Sequence, residues 1–319
     1  MKLERKLGAA TRDAYGKALA ELGKTHPEII VLDGDLAKST KTDNFRKVFP
    51  ERFFNVGVAE ANLVGIASGL ATCGKIPFIS SFACFMLCKG YDQFRMSVAF
   101  PELNVKVVAS HGGISIGEDG ASQQSIEDIA LAASLPNFTV LLPADEVSTE
   151  VLVKKLATHK GPVFMRTGRP KVPIIYKQGT DFEIGKGMKL RTGEDLTIFA
   201  NGLLVFEALV AAEELAEKGI QAAVVDLHTI KPIDRDLIKA QAKETGAIVT
   251  CEEHQIYGGL GSIVSEVVTG EAPVPMEFVA ICDTYAESGT PDELLERYGL
   301  TARHIVQAAE RVISRKKGK

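Results

Sequence analysis

The chain has 319 residues and a mass of 34.3 kDa, about twice the size of a typical single domain, so two domains are expected. At 45% hydrophobic and 24% charged residues with 29 glycines, the composition is that of a globular protein and excludes a disordered, collagen-like or disulfide-stapled chain. Lys and Arg number 37 against 41 Asp and Glu, and the net charge of −4 leaves no basic surplus for nucleic acid or an anionic membrane.

The N-terminal MKLERKLGAATRDAYGKAL carries charges where a signal peptide needs an apolar run and reads as the lead into an amphipathic helix, so a cytoplasmic location is expected. From residue 28, short β-branched runs alternate with helical patterns, the rhythm of βα units around a parallel sheet. Strands are predicted at 28–33, 53–56, 77–81, 105–110, 138–142 and 162–166, and crossover helices at 61–72, 85–98, 126–135 and 146–158. The longest uncharged stretch, residues 129–144, spans 16 residues with two prolines, too short to cross a bilayer. After Pro170 periodicity fades, and prolines and glycines mark a linker at 173–194. Strands at 196–200, 222–226, 247–251 and 276–281, with a long helix at 204–218 among those between and after them, predict a second, smaller α/β domain ending in a solvated, frayed RKKGK tail. The fold class is therefore α/β: two consecutive domains, 1–172 and 195–319, each a mostly parallel sheet flanked by helices. The five scattered cysteines form no C-x-x-C pair and read as buried free thiols.

Five places carry residues suited to chemistry. Glu60, in Val56-Gly-Val-Ala-Glu60, opens an almost wholly apolar helix. A glutamate there is either favoured by the helix dipole or, walled by apolar groups, able to share a proton with a heterocycle nitrogen. Phe82 and Phe85 follow a strand directly and are either core or a platform for a ring at the carboxyl end of the sheet. The run His111-Gly-Gly-Ile-Ser-Ile-Gly-Glu118-Asp119-Gly-Ala-Ser-Gln123-Gln124 has more glycines and polar groups than a connector needs, although Glu118 and Asp119 also suit a solvated turn. Arg166 and Arg169, and likewise Arg12, read either as phosphate ligands or as structural ion pairs. Gly258-Gly-Leu-Gly261-Ser has Val264 where a dinucleotide fingerprint wants Gly or Ala. No pair of the six histidines has metal-ligand spacing, so no metal held by this chain alone is proposed.

Together, ATRDA (10–14), LDGD (32–35), VGVAE (56–60), SFACF (81–85), YDQFRM (91–96), HGGISIGEDGASQQ (111–124), PAD (143–145) and RTGRP (166–170) resemble transketolase. The likeness continues through VVDLHTIKPID (224–234) and EEH with its following glycines (252–261), and covers nearly the whole chain. It corresponds to the pyrimidine-binding and C-terminal domains of the single-chain enzyme. The resemblance implies that Glu60 hydrogen-bonds the aminopyrimidine of thiamine diphosphate, favouring the imino tautomer whose nitrogen removes the thiazolium proton. It implies that Phe85 stacks on the pyrimidine beside Phe82, with Asp35 among the cofactor-binding residues. Arg12, Ser39, His111 and Arg169 would hold a substrate phosphate, Asp119 would read a hydroxyl beside the aldehyde carbon, and Gln123 would meet the donor. His111 and Asp119 are counted with Glu60 as catalytic.

Three departures qualify the likeness. Gln123 stands where some transketolases have His, and Cys88 stands near the place of a pocket tyrosine. The family's diphosphate motif, Gly-Asp-Gly followed by Asn, is absent, since Asp33-Gly34-Asp35 is the inverse order. The expectation is thus one subunit of a split transketolase. A separate N-terminal-half subunit would supply the diphosphate and Mg²⁺ site, and this chain would self-associate within an α₂β₂ assembly acting on sugar phosphates. The rivals are the β-subunit of a 2-oxo acid dehydrogenase decarboxylase and a non-catalytic assembly module.

Overall fold

A computed structural model describes residues 5–318. The chain runs β1 (Leu7–Ala10), α1 (Thr11–Leu22), β2 (Ile29–Asp33), α2 (Ala37–Thr40), α3 (Asp43–Val48), β3 (Phe53–Asn55), α4 (Glu60–Thr72), β4 (Ile76–Ser80), α5 (Ala83–Gln93), β5 (Lys106–Ala109), α6 (Asp128–Ser134), β6 (Thr139–Leu141), α7 (Glu146–Leu156), β7 (Val163–Arg166) and β8 (Lys171–Pro173). It continues through β9 (Met188–Arg191), β10 (Leu196–Ala200), α8 (Leu204–Glu217), β11 (Ala222–Asp226), β12 (Thr229–Lys231), α9 (Arg235–Thr245), β13 (Ile248–Gln255), α10 (Leu260–Glu271), β14 (Met276–Ile281), α11 (Pro291–Arg297) and α12 (Ala302–Lys317).

Two large sheets and a two-stranded β1–β8 pair organise these elements. The larger has the order β12-β6-β7-β5-β4-β2-β3, parallel except for β12, and the smaller the order β14-β13-β10-β11-β9, parallel except for β9. Central strands such as Ile29–Asp33 and Leu196–Ala200 are buried throughout, which is why they read as nearly continuous apolar runs rather than alternating ones. In the larger sheet β3 and β4 flank β2 on opposite sides, so the strand order reverses at β2 and opens a crevice there at the carboxyl edge, the usual ligand position in such sheets.

The α/β architecture and every sequence-derived strand are present, with instructive differences. The first helical lead is preceded by β1, which pairs antiparallel with β8, and residues 1–4 of that lead lie outside the described residues. The expected helix at 85–98 is an α-helix to Gln93 followed by one π-turn, Phe94–Ala99. The stretch read as linker is not structureless, because β9 lies within it and pairs with β11. That segment is also pinned by side chains: Asp145 Oδ2 accepts from the Ile175 and Tyr176 amides at 2.9 Å each, and the Tyr176 hydroxyl donates to Asp226 Oδ2 at 2.7 Å. β12, from the second half of the chain, extends the sheet of the first. β13 runs on to Gln255, so Glu252, Glu253 and His254 lie in a strand. The terminal basic run is helical to Lys317 rather than frayed, and Lys319 lies outside the described residues. Of the five cysteines only Cys84 and Cys251 are buried, while Cys73, Cys88 and Cys282 are exposed.

Candidate active site

The carboxyl ends of β2, β3, β4, β5 and β7, with the first turn of α1 that carries Arg12, deliver the candidate residues to one rim. Glu60 is the first residue of α4 and only 3% exposed. Its Oε1 accepts from Ser81 Oγ at 3.1 Å, and among the described residues its Oε2 meets only Lys89 Nζ, at 3.9 Å. Burial beside a helix N-terminus, with one oxygen left without a close donor, equips this carboxylate to take a hydrogen bond from a ligand. Phe82 and Phe85 stack with centroids 5.7 Å apart and planes at 17°, and Lys89 Nζ lies 4.5 Å above Phe85. Phe82 in turn stacks on the His111 ring at 3.8 Å.

His111 links that platform to a cationic corner. Its Nε2 is 2.9 Å from Arg12 Nη1 and its Nδ1 is 2.7 Å from Ser110 Oγ. Because arginine only donates, Nε2 is the acceptor and the proton sits on Nδ1. Burial, followed by the charges of Arg12, Arg169 and Lys41, pushes the His111 pKa down to about 3, so the imidazole stays neutral. Arg12 also donates to the Ser39 carbonyl at 3.2 Å, while its buried Nε has no partner among the described residues. Arg169 donates to the Ile116 carbonyl and to Glu118 Oε2 at 3.2 Å, and lies 3.8 Å from Asp119 Oδ2. The corner therefore holds two guanidiniums, one with an unused buried donor, beside two exposed carboxylates, a set suited to a ligand with an anionic end and hydroxyls.

The structure brings Arg12, Ser39, Phe82, Phe85, His111, Asp119 and Arg169 into one chain of contacts, with Glu60 joined through Lys89. Gln123 enters through its backbone, its carbonyl lying 3.2 Å from Cys84 Sγ. Asp35 is exposed and accepts from Asn55 Nδ2 at 2.7 Å. Asp33 takes a structural part: its carboxylate accepts from the Leu36 amide and the Thr40 and Thr42 hydroxyls at 2.6–2.8 Å, ordering the turn after β2. Arg166, one of the three arginines left with alternative readings, takes the structural one. It is buried, its Nε 3.4 Å from Asp128 and its Nη2 bonded to the Glu253 carbonyl at 2.8 Å. Among the described residues no group of three or more His, Cys, Asp or Glu is placed to hold a metal ion. The sequence did not reveal that Ser81 is the partner of Glu60, although its place directly after a strand in the crevice was a usable signal.

Residues 8–174 match the family model for the transketolase pyrimidine-binding domain, and residues 185–305 match that for the transketolase C-terminal domain. The chain belongs to the transketolase family. It is 48% identical over 299 residues to a protein of Methanocaldococcus jannaschii named for the C-terminal section of transketolase, covering 93% of this chain and 94% of that one. It is 41% identical to the 6-deoxy-6-sulfo-D-fructose transketolase subunit SqwH of Clostridium sp. MSTE9, covering 96% and 95% of the two chains. Against human transketolase the identity is 43%, across 96% of this chain but 49% of that enzyme, so the chain spans about half its length. Among solved structures, a split-gene transketolase described as an inactive β4 tetramer superposes with a TM-score of 0.91 at 51% identity, covering 97% of this chain and all of that one. This transketolase-type chain thus corresponds to the C-terminal half of the single-chain enzyme.

Proposed function

We propose that this chain is the C-terminal-half subunit of a split transketolase. With a separate diphosphate-binding subunit it moves a two-carbon ketol unit from a ketose phosphate to an aldose phosphate using thiamine diphosphate. The observation that carries this reading is the half-satisfied, buried Glu60 beside the Phe82–Phe85 pair, on the rim that also holds Arg12, His111 and Arg169.

The residues present fit one end of the cofactor. Glu60 Oε2 offers an acceptor for an aminopyrimidine, and Phe85 a ring to stack on it. They do not supply the other end: Asp33 is saturated by its own turn and Asp35 is engaged by Asn55. Mg²⁺ and the diphosphate are therefore assigned to the partner subunit. When bound, thiamine diphosphate supplies a nucleophilic carbon and an electron sink for cleaving a bond beside a carbonyl.

The chain's own residues do the rest. Glu60 holds a proton shared with the pyrimidine and is kept from turning by Ser81. Arg12 and Arg169 grip the phosphate, the unused Arg12 Nε gaining the acceptor it lacks. Neutral His111 orients Arg12 through Nε2. Asp119 accepts from a substrate hydroxyl, and Gln123, whose carbonyl lies beside Cys84, meets the donor.

An uncovered apolar face supports the partner reading. α4 turns Gly65, Gly69 and Ile66 outward, and Val58 before it is 73% exposed. The split-gene neighbour, inactive as a tetramer of its own β chains, and the half-length match to human transketolase point the same way. We place the working form in an α₂β₂ assembly in the cytoplasm; among the described residues no helix is long and apolar enough to cross a membrane. The test is calorimetry of thiamine diphosphate and Mg²⁺ with this chain alone and then mixed with the protein encoded beside it. Binding only in the mixture, followed by ketol transfer from a ketose phosphate, is expected, and tight binding by this chain alone would overturn the split.

A further inference from the structure

The loop between Ser110 and Ser125 carries His111 and Asp119, yet it contains almost no regular structure. Its internal ties are the two backbone bonds between Gly113 and Ser125, at 2.6 and 3.2 Å, and a few tight turns. Its shape depends on Gly113, Gly117 and Gly120 at positive φ, and His111 itself has φ 61°. Such a segment has many accessible conformations, so its single arrangement must come from what it lies on.

What it lies on belongs largely to the second half of the chain. Glu253, on β13 and 7% exposed, accepts from the fully buried Ser115 amide through Oε1 at 2.6 Å. The Glu253 carbonyl takes Arg166 Nη2 at 2.8 Å, and Arg166 lies under the same loop. The fit leaves no room: a Cβ on Gly113 would stand 2.1 Å from Glu253 Cδ, and one on Gly112 would stand 1.9 Å from Arg166 Nε. Farther along, Gln124 Nε2 donates to the Glu287 carbonyl at 3.0 Å, and a Cβ on Gly120 would meet Ser288 Oγ at 2.5 Å. His111 and Asp119 flank the Ser115 contact within four residues on either side.

We infer that Glu253 is a positioning residue for the substrate loop: by accepting from the Ser115 amide it fixes the 111–125 segment so that His111 and Asp119 meet the sugar phosphate in one geometry. This gives the C-terminal domain a direct part in substrate recognition although it contributes no group to the rim. The inference rests on the loop being the substrate loop of the proposed transketolase, and the experiment separates the two.

In the full chain, Glu253→Ala removes the acceptor and leaves a buried N–H unpaired, while Glu253→Gln keeps a carbonyl oxygen for it. Amide hydrogen exchange at Ser115 and its neighbours is expected to quicken about tenfold in Glu253→Ala and to stay near wild type in Glu253→Gln. In the reconstituted complex, Glu253→Ala is expected to raise KM for the ketose phosphate about tenfold with kcat within about twofold, and Glu253→Gln to restore it. Unchanged exchange in Glu253→Ala would overturn the inference. So would a fall in kcat at constant KM, the mark of fewer folded molecules rather than a displaced loop. If Glu253→Ala does not fold, Glu253→Asp, which withdraws the acceptor by one methylene, must show the same effects in smaller degree. A wild-type complex without ketol transfer would count against the proposed function, while the exchange result would still decide whether Glu253 holds the loop.

Discussion

Glu60 and Glu252 are both buried carboxylates beside a helix N-terminus at the carboxyl edge of a parallel sheet, one in each half of the chain, and they are used in opposite ways. Glu252 is 1% exposed, and its two oxygens accept from the Leu260 and Gly261 amides at 2.6 and 2.8 Å, closing the start of α10. Glu60 gives one oxygen to Ser81 and leaves the other facing Lys89 at 3.9 Å. A carboxylate with both oxygens bonded to backbone amides is a fastening, whereas one with an oxygen left free of a close donor at an open rim has capacity for a ligand. The distinction extends to the surroundings. The first half leaves Arg12 Nε unpaired at its rim, while in the seam between the halves Arg166 is shared by Asp128 and Glu253.

The sharpest way to break this contrast is Glu60→Gln. The amide still accepts from Ser81, so the folded chain should keep its thermal midpoint, while ketol transfer in the reconstituted complex should fall by about 10²–10⁴-fold, the range of a lost proton-transfer group. Retained activity would make Glu60 another fastening. The mirror experiment is Glu252→Ala, which leaves two buried amides without acceptors and should lower unfolding free energy by about 2–4 kcal/mol in a denaturant titration. Activity per folded complex should be unchanged, since Glu252 contributes no group to the rim. Phe85→Ala removes the half-buried ring and should weaken thiamine diphosphate binding by the complex about tenfold in calorimetry, with little change in stability.

A pH dependence in the seam tests the contrast from the side of stability. Burial pushes the Asp226 carboxyl up to about 8, so the folded chain keeps that proton over a range in which the unfolded chain has released it. Wild-type stability therefore loses this contribution as pH rises from about 4 to about 8. In Asp226→Asn, which can still accept from Tyr176, the thermal midpoint should gain on wild type across that window and level off above it. A difference that shrinks with rising pH would reverse the sign.

Much of this organisation was legible in the chain itself, because buried parallel strands are continuous apolar runs and the turns after them collect glycine and charge. Glu60, Phe85 and the 111–124 loop stood out for that reason. What stayed hidden was set by distant partners. Three- and four-residue strands such as β8, β9 and β12 are too short to show a period and exist through the neighbours they pair with. The Glu252-Glu253-His254 run fell outside the strand expected at 247–251 because charged residues rarely line a buried strand, and only the amides and the guanidinium they meet make that position tolerable. Arg166 and Arg169 are three residues apart and chemically identical; the resemblance singled out Arg169, and the Asp128 and Glu253 positions give the physical reason that Arg166 is the buried one.

The placement of β12 beside β6 has a consequence for any attempt to divide the molecule. A fragment stopping before residue 229 would contain the whole candidate site yet present β6 with a bare row of backbone donors and acceptors, a template for pairing with another copy. During synthesis that edge stays open until the second half emerges, so the chain carries its own safeguard against self-adhesion, delivered late and by the half that seemed least concerned with the chemistry.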